Sequence, residues 1–523
     1  MENELVNLIK ANVKLIQIVS YETKRIQGMV IKAAEDENIN RDLYIWDRIE
    51  GLKKWTRDDN GKGCFNPEAN SNEKPDLAID FFNENENLIL LLEDFYPNLT
   101  EDEPQMIRRF RNIALTHKKN KTLIFSQPFL QLPKELEKDV HIIELPYPDF
   151  KDLTKIYQDV CTQNNIQNPE DPDHELIESA LGLTIMEAEK AFSLAYIENG
   201  KLTSAEVPLI IREKENIIKK SGFLEYYHPK ETMEDVGGLE NLKDWLKKRG
   251  NGFNKTAQEY GLTYPRGIML LGIPGTGKSL TAKAVGNLWH FPLLRLDMGK
   301  IFGGIVGESE NNIRQALKIA EAIAPSIIWI DEIEKGMSGI SSSGRSDGGT
   351  TARVLGTFLT WMQEKTKPVF VVATANDISQ LPPELLRKGR VDEIFFVDLP
   401  TEKEREDIFR IHLKRKGRIP DKFEIESLAK MSLGYSGAEL EEVVKEALFQ
   451  AYAEGKEVET NHLSAAIDKT YPLSRTMSET IVKMREWAKS RAVSASKNAP
   501  EDLKKIEKEV PKLKQESYNN PFI

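Results

Sequence analysis

At 523 residues, and at roughly 100 to 200 residues per domain, the chain has length for three or four compact units; 40% hydrophobic and 30% charged residues exclude a wholly disordered chain. Lys and Arg number 72 against 83 Asp and Glu, a net charge of −11 that offers no overall cationic field to nucleic acid or anionic lipid. Cys64 and Cys161 are too few for a disulfide framework and neither sits in a C-x-x-C pair, which fits a reducing compartment. Glu2 and Glu4 precede the first apolar run, and no run reaches the roughly 18 residues of a membrane span, so neither a signal peptide nor a span is expected.

In chain order, the strand LIQIVS (15–20) leads into YETKRI. The stretch 58–76 is dense in Gly, Pro, Asn and Asp and reads as a loop. LILLLEDF (88–95), closed by Glu93 and Asp94, resembles SIIWIDEI (326–333). MIRRFRNIALTHKKNKT (106–122) carries Arg108, Arg109, Arg111, Lys118, Lys119 and Lys121; without interleaved aromatic residues it reads as a solvated helix face rather than a nucleic-acid site. A charged segment over 211–231 is expected to be a linker helix. From 232 to 400 short β-branched runs alternate with helical periodicity, which predicts a parallel sheet with helices on both faces. After Pro400 the pattern is helical only, to about 475. Residues 476–523 read as one packed helix and a charged tail, and 336–350, rich in Gly and Ser, as a mobile loop.

The same order of signals occurs twice. SQPFLQLPKEL parallels ANDISQLPPEL, HIIELP parallels FFVDLP, and LGLTIMEAEKAF parallels LGYSGAELEEVV. Leu132 and Leu381, Pro146 and Pro400, Gly182 and Gly434 stand 249, 254 and 252 residues apart. Offsets so nearly constant point to a duplicated α/β module with its own helical lid.

Chemistry concentrates in the second copy. Gly272-Ile273-Pro274-Gly275-Thr276-Gly277-Lys278-Ser279 fits G-x-x-x-x-G-K-[ST], after a strand and opening a helix that continues with Leu280. Glycines let successive N–H groups face an anion, Lys278 is placed for the outer phosphates, and Ser279 for Mg²⁺. SIIWIDEI ends in Asp331, a second Mg²⁺ group, and Glu332, placed to polarise an attacking water. Asn376 closes the next strand with a neutral amide, or is only a turn residue. Arg387 and Arg390 follow; each is either a solvated side chain or a guanidinium able to meet phosphoryl charge in cis or from a neighbour.

GIPGTGKS, SIIWIDEIEK, VVATAND, ELLRKGRVDE and LGYSGAELEE, with MEDVGGLENLK ahead of them, together resemble the AAA family of ATPases over about 232–475. Taken whole, the chain is similar to a divergent branch of that family encoded by cyanobacteria and algal plastid genomes. The resemblance implies an α/β fold of two tandem AAA-like modules, each a parallel sheet with helices on both faces plus a helical lid. The first (1–210) is degenerate, lacking a phosphate loop, and the second is intact (232–399 with its lid at 400–475). It implies ATP and Mg²⁺ as cofactors, Asn376 as a sensor, and Arg387 and Arg390 as fingers on the adjoining subunit's ATP in a ring, with a hexamer expected. It also implies adenine framing by Asp235, Val236 and Gly237, and closure over the nucleotide by His412, Gly437 and Ala438. In the segment Ile305-Val306-Gly307, Ile305 stands where the family's pore loop carries an aromatic residue before a hydrophobic residue and glycine, with Phe302 three residues earlier, which argues against assuming polypeptide threading. The implied activity is ATP hydrolysis used to remodel or dissociate an unidentified protein partner in a bacterial cytoplasm or plastid stroma, with an ATP-gated binding protein or scaffold of slow turnover as the alternative. The leading module is read as a partner-binding or ring-building element.

Overall fold

Apolar runs read from the sequence become the strands of two sheets. The structure, a computed structural model, describes residues 2–500 apart from 59–60, 69–72, 101, 117–119, 131, 167–172, 303–307, 338–347 and 388. It divides into one unit of Met1–Pro172 with Leu183–Ile197 and another of Asp173–Gly182 with Glu198–Ile523.

The first unit holds strands β1 (Leu15–Val19), β2 (Asp42–Asp47), β3 (Gly51–Arg57), β4 (Gly63–Pro67), β5 (Leu88–Glu93), β6 (Lys121–Gln127) and β7 (Val140–Glu144), in the order β4-β3-β2-β5-β6-β1-β7. β2, β5, β6, β1 and β7 run parallel. Such strands are covered on both faces: Leu88, Leu90 and Leu92 enter one core while Ile89 and Leu91 enter the other. The stretch 58–76, expected to be a loop, contains β4, antiparallel to β3. The turn-rich composition is compatible with a strand here for a packing reason: Trp55 lies where a Cβ on Gly63 would be, 2.1 Å from its ring, and a strand at the sheet's edge tolerates both Gly63 and Pro67.

The second unit repeats the pattern. β8 (Leu224–Tyr227), β9 (Gly267–Gly272), β10 (Leu293–Leu296), β11 (Ser326–Ile330), β12 (Val369–Ala375), β13 (Glu393–Val397) and β14 (Val493–Ser494) lie in the order β14-β13-β9-β12-β11-β10-β8. Its parallel core β10-β11-β12-β9-β13 matches β2-β5-β6-β1-β7 strand for strand, so the duplication seen in the spacing is a duplication of topology. Four helices, Glu402–Arg415, Ile425–Met431, Gly437–Ala453 and Thr460–Lys469, form a lid around Phe409, Leu413, Leu440, Val443 and Leu463.

The edges carry what periodicity did not reveal. Residues 211–231, expected to be a linker, hold most of helix Val207–Ser221, whose Ile210, Lys214 and Ile218 are buried at every fourth position, and β8, antiparallel to β10. At the other end, helix Ser478–Arg491 is followed by β14, parallel to β13. Arg485 grips Asp398 through three contacts of 2.7–3.0 Å. Breaking a largely buried pair strands the remaining charge, so Arg485→Ala is expected to lower the stability of this unit by about 3 kcal/mol. A chemical denaturation midpoint equal to wild type would show that the ion pair does not anchor the helix.

Candidate functional site

The site grows from the turn between β9 and helix Lys278–Trp289. Gly272, Gly275 and Gly277 have φ of 150°, 77° and 90°, and a Cβ on Gly272 would sit 2.0 Å from the Val397 carbonyl oxygen, so only glycine closes the strand against β13. Lys278 is 5% exposed; its Nζ donates to the Gly272 and Ile273 carbonyls at 2.9 and 2.7 Å. Burial pushes its pKa down to about 8, with Glu334, Asp331 and Glu332 pulling the other way.

Across from it, Ser279 Oγ and Thr374 Oγ1 both donate to Asp331 Oδ1 at 2.7 Å. Thr374 Oγ1 also accepts the Glu332 N–H at 3.0 Å, which fits Glu332's left-handed φ of 49°. Glu332 Oε1 accepts from Asn376 Nδ2 at 3.0 Å, and Oε2 pairs with Lys335 at 2.5 Å. Glu334, 4% exposed, accepts the Asn376 N–H at 2.9 Å and so fixes the end of β12; burial raises its pKa.

These groups border a cavity of about 390 Å³ lined by Asp235, Val236, Gly237, Pro274 to Leu280, Glu332, Asn376, Ile408, Ile411, His412, Arg415, Gly437, Ala438 and Glu441. The structure thus brings fifteen of the residues singled out from the sequence to one cleft: Asp235, Val236, Gly237, Pro274, Gly275, Thr276, Gly277, Lys278, Ser279, Leu280, His412, Gly437 and Ala438, together with Glu332 and Asn376. Gly272 and Asp331 lie one hydrogen bond behind it, through Lys278 and Ser279, and Arg387 and Arg390 do not line it; Arg387 is exposed and Arg390 donates to the Glu384 carbonyl at 2.7 Å. Phe302 closes a short helix, while Ile305, Val306 and Gly307 fall outside the described residues.

Ile408, Ile411, Arg415, Thr374 and Glu334 were not singled out from the sequence. The first three share one face of helix Glu402–Arg415 with His412 at helical spacing, a signal that a search for a second apolar stripe would have found. Arg415 binds Asp235 at 3.0 Å. Burial raises the Asp235 carboxyl, but the Thr232 N–H and Arg415 outweigh it and hold it below the usual carboxylate range. Burial also holds the His412 imidazole below its usual pKa range. The lid meets the loop through the Ala438 N–H, which donates to the Gly275 carbonyl at 2.9 Å.

The donor set fits a nucleoside triphosphate with its metal. A buried ammonium, a loop turned by left-handed glycines and a helix N-terminus suit an anion, the apolar flank of Val236, Ile408 and Ile411 suits a base, and the hydroxyl and carboxylate oxygens of Ser279 and Asp331 suit a hard cation.

The leading unit lacks this equipment. The turn after β1 has neither glycine nor lysine, although Asp94 keeps the left-handed φ, 48°, that Glu332 has. Glu93, hydrogen-bonded by Gln27 at 2.9 Å, is pushed up to about 7 by burial. In the basic segment Arg109 is paired with Asp80 at 2.6 Å, and Lys121 is buried with Nζ on the Asn83 carbonyl at 3.1 Å. Lys118 and Lys119 fall outside the described residues.

A glycine loop between a buried strand and a helix, strand-end carboxylates and a helical lid define a phosphate-loop α/β fold of the AAA type. The family described as "ATPase family associated with various cellular activities (AAA)" matches residues 268–399, and the "AAA+ lid domain" matches 422–465. The N-terminal and second domains of "SpoVK-like AAA ATPase" match 1–145 and 151–221. The chain is 39% identical to the AAA domain-containing protein ycf46 of Guillardia theta over 92% of this chain and 93% of that protein. The Pyropia yezoensis ycf46 protein is 40% identical over 94% and 98%. A cell division cycle protein 48 homolog of Archaeoglobus fulgidus is 35% identical over 48% of this chain and 34% of its own. The chain belongs to the AAA ATPase family, in two tandem AAA-like modules. Among the described residues no helix is long and apolar enough to cross a membrane.

Proposed function

We propose that the chain is a Mg²⁺-dependent ATPase whose second module hydrolyses ATP at subunit interfaces, in a ring of its own copies, to remodel or dissociate a protein partner. The observation that carries this reading is the connected set Ser279–Asp331–Thr374–Glu332–Asn376, of which Ser279, Glu332 and Asn376 line one cavity with Lys278. Lys278 and the loop N–H groups hold the phosphates, and the flank of Val236, Gly237, Ile408 and Ile411 takes the base. Ser279 and Asp331 would hold Mg²⁺, which neutralises charge on the transferring phosphoryl group. Glu332 orients the attacking water and accepts its proton, and Asn376 aims the Glu332 carboxylate. Water is excluded as the lid helices that carry His412, Gly437 and Ala438 close on the loop.

Arg387 and Arg390 stand clear of their own cavity, which favours action on a neighbouring subunit's phosphates. The test is by mixing. Arg390→Ala and Glu332→Gln chains, each inactive alone, should regain turnover together, because about one interface in four then joins an intact Glu332 pocket to an intact Arg390. No recovery in mixed assemblies would count against catalysis across subunits.

We propose the module boundaries 1–210, 232–399 and 400–475, with the leading module as the partner-binding or ring-building part. The protein would work in a bacterial cytoplasm or plastid stroma, and nucleic acid is an unfavoured partner because the basic segment's Arg109 and Lys121 are already engaged.

A further inference from the structure

We propose that the leading module is latched shut by its own carboxylate, Glu22, standing where the second module keeps its phosphate loop. The two positions are topologically equivalent. β1 and β9 occupy the same place in the two sheets, and each is followed by a tight turn and a helix, Thr23–Ala34 in the first and Lys278–Trp289 in the second. In the second module the turn Ile273–Gly277 is wound to face an anion brought from outside. In the first, only Ser20, Tyr21 and Glu22 separate strand from helix, and the anion is built in.

Glu22 is 5% exposed and each carboxylate oxygen is taken. Oε1 accepts the N–H of Ile185, the first residue of helix Ile185–Asn199, at 2.6 Å. Oε2 accepts from Arg25 Nη1 at 2.7 Å, and the same nitrogen donates to the Pro146 carbonyl at 2.6 Å. Arg25 Nη2 also lies 3.8 Å from Asp152 in helix Phe150–Gln163. Pro146, Asp152 and Ile185 belong to the passage from β7 into the lid and to the lid itself, the parts that correspond to Pro400, Glu402–Arg415 and Gly437–Ala453. Even the capping box matches, with the Thr184 N–H on Glu187 at 2.9 Å and the Ser436 N–H on Glu439 at 2.7 Å. The carboxylate thus meets the positive end of helix Ile185–Asn199, though it makes no cap hydrogen bond to its own helix Thr23–Ala34, and Arg25 ties it to the passage out of β7. Closure that the second module would take from a bound ligand is supplied in the first by hydrogen bonds and an ion pair of the chain's own Glu22, so this lid does not answer to nucleotide.

The test is hydrogen exchange on the full chain. Glu22→Ala should speed exchange in the first turn of helix Ile185–Asn199 by roughly 10- to 100-fold, the loss expected for hydrogen bonds to a charged group, with β1 and β6 unchanged. Glu22→Gln keeps an acceptor for Ile185 but not the charge, and Arg25→Met removes the tie to the passage out of β7; both should fall between wild type and Glu22→Ala, and both remain readable if the alanine variant does not fold. Saturating ATP should leave residues 185–199 of the wild type unchanged. Wild-type exchange in all three variants, or ATP-dependent protection of 185–199, would overturn the latch. The mutational arms contain no nucleotide, so they stand or fall separately from the ATPase reading.

Discussion

Lys278→Ala should fold and fail to hold ATP. The side chain is buried, so no solvent substitutes for it, and its only hydrogen-bond partners in the described residues are the carbonyls of Gly272 and Ile273. Removing a buried charge opposite phosphate costs about 3 kcal/mol or more, at least a hundredfold in Kd at 1.4 kcal/mol per decade, measured by calorimetry at pH 7.5. The wild type carries a further signature. Lys278 is depressed to about 8 by burial, and an anion beside it raises the value, so between those two pKa values the complex binds more protons than the free protein. Affinity should therefore fall as pH rises above 8, and Lys278→Ala should not show that slope. Flat wild-type affinity from pH 7.5 to 9.5 would mean that this ammonium does not meet the phosphates.

Glu332→Gln should separate binding from turnover. Glutamine keeps an oxygen for Asn376 Nδ2, so the floor of the cleft stays in place, but it cannot take a proton, and its amide meets the Lys335 ammonium where the carboxylate had paired. Turnover should drop roughly 10²- to 10⁴-fold, the span of general-base losses, while ATP affinity stays within about threefold. Held in the ATP state, the variant should form a stable oligomer and retain the partner in pull-downs that Lys278→Ala cannot load. Turnover close to wild type would remove Glu332 from the chemistry, and unchanged partner capture would favour an ATP-gated binding protein over a remodelling enzyme.

Much of the cleft was legible because the groups that hold a phosphate are contiguous in the chain. A strand, a turn and a helix N-terminus place Gly275 to Ser279 with no help from distant residues, and Asp331 and Glu332 follow from the end of one apolar strand. Ile408 was marked only by its helical spacing to His412 on a capped amphipathic segment, and Arg415 acquires its role only by reaching Asp235, 180 positions earlier. Glu404 is similar. It caps its own helix, yet it also accepts from the Leu239 N–H at 3.2 Å and from Ser496 Oγ at 2.5 Å, tying the lid to both ends of the large subdomain.

By itself, then, the amino-acid order determined the duplicated module, the strands β1, β5, β7, β9, β11, β12 and β13 of the parallel cores and the glycine-rich loop after β9, since each rests on periodicity or on neighbours a few residues apart. Only the tertiary structure decided that 224–227 and 493–494 finish the second sheet, that Ile408, Ile411 and Arg415 join the lid's side of the pocket, and that Glu22 meets Ile185 across 163 residues. Edge pairing and side-chain bridges of that span depend on which surfaces the packed cores bring together, and a one-dimensional pattern holds no record of that.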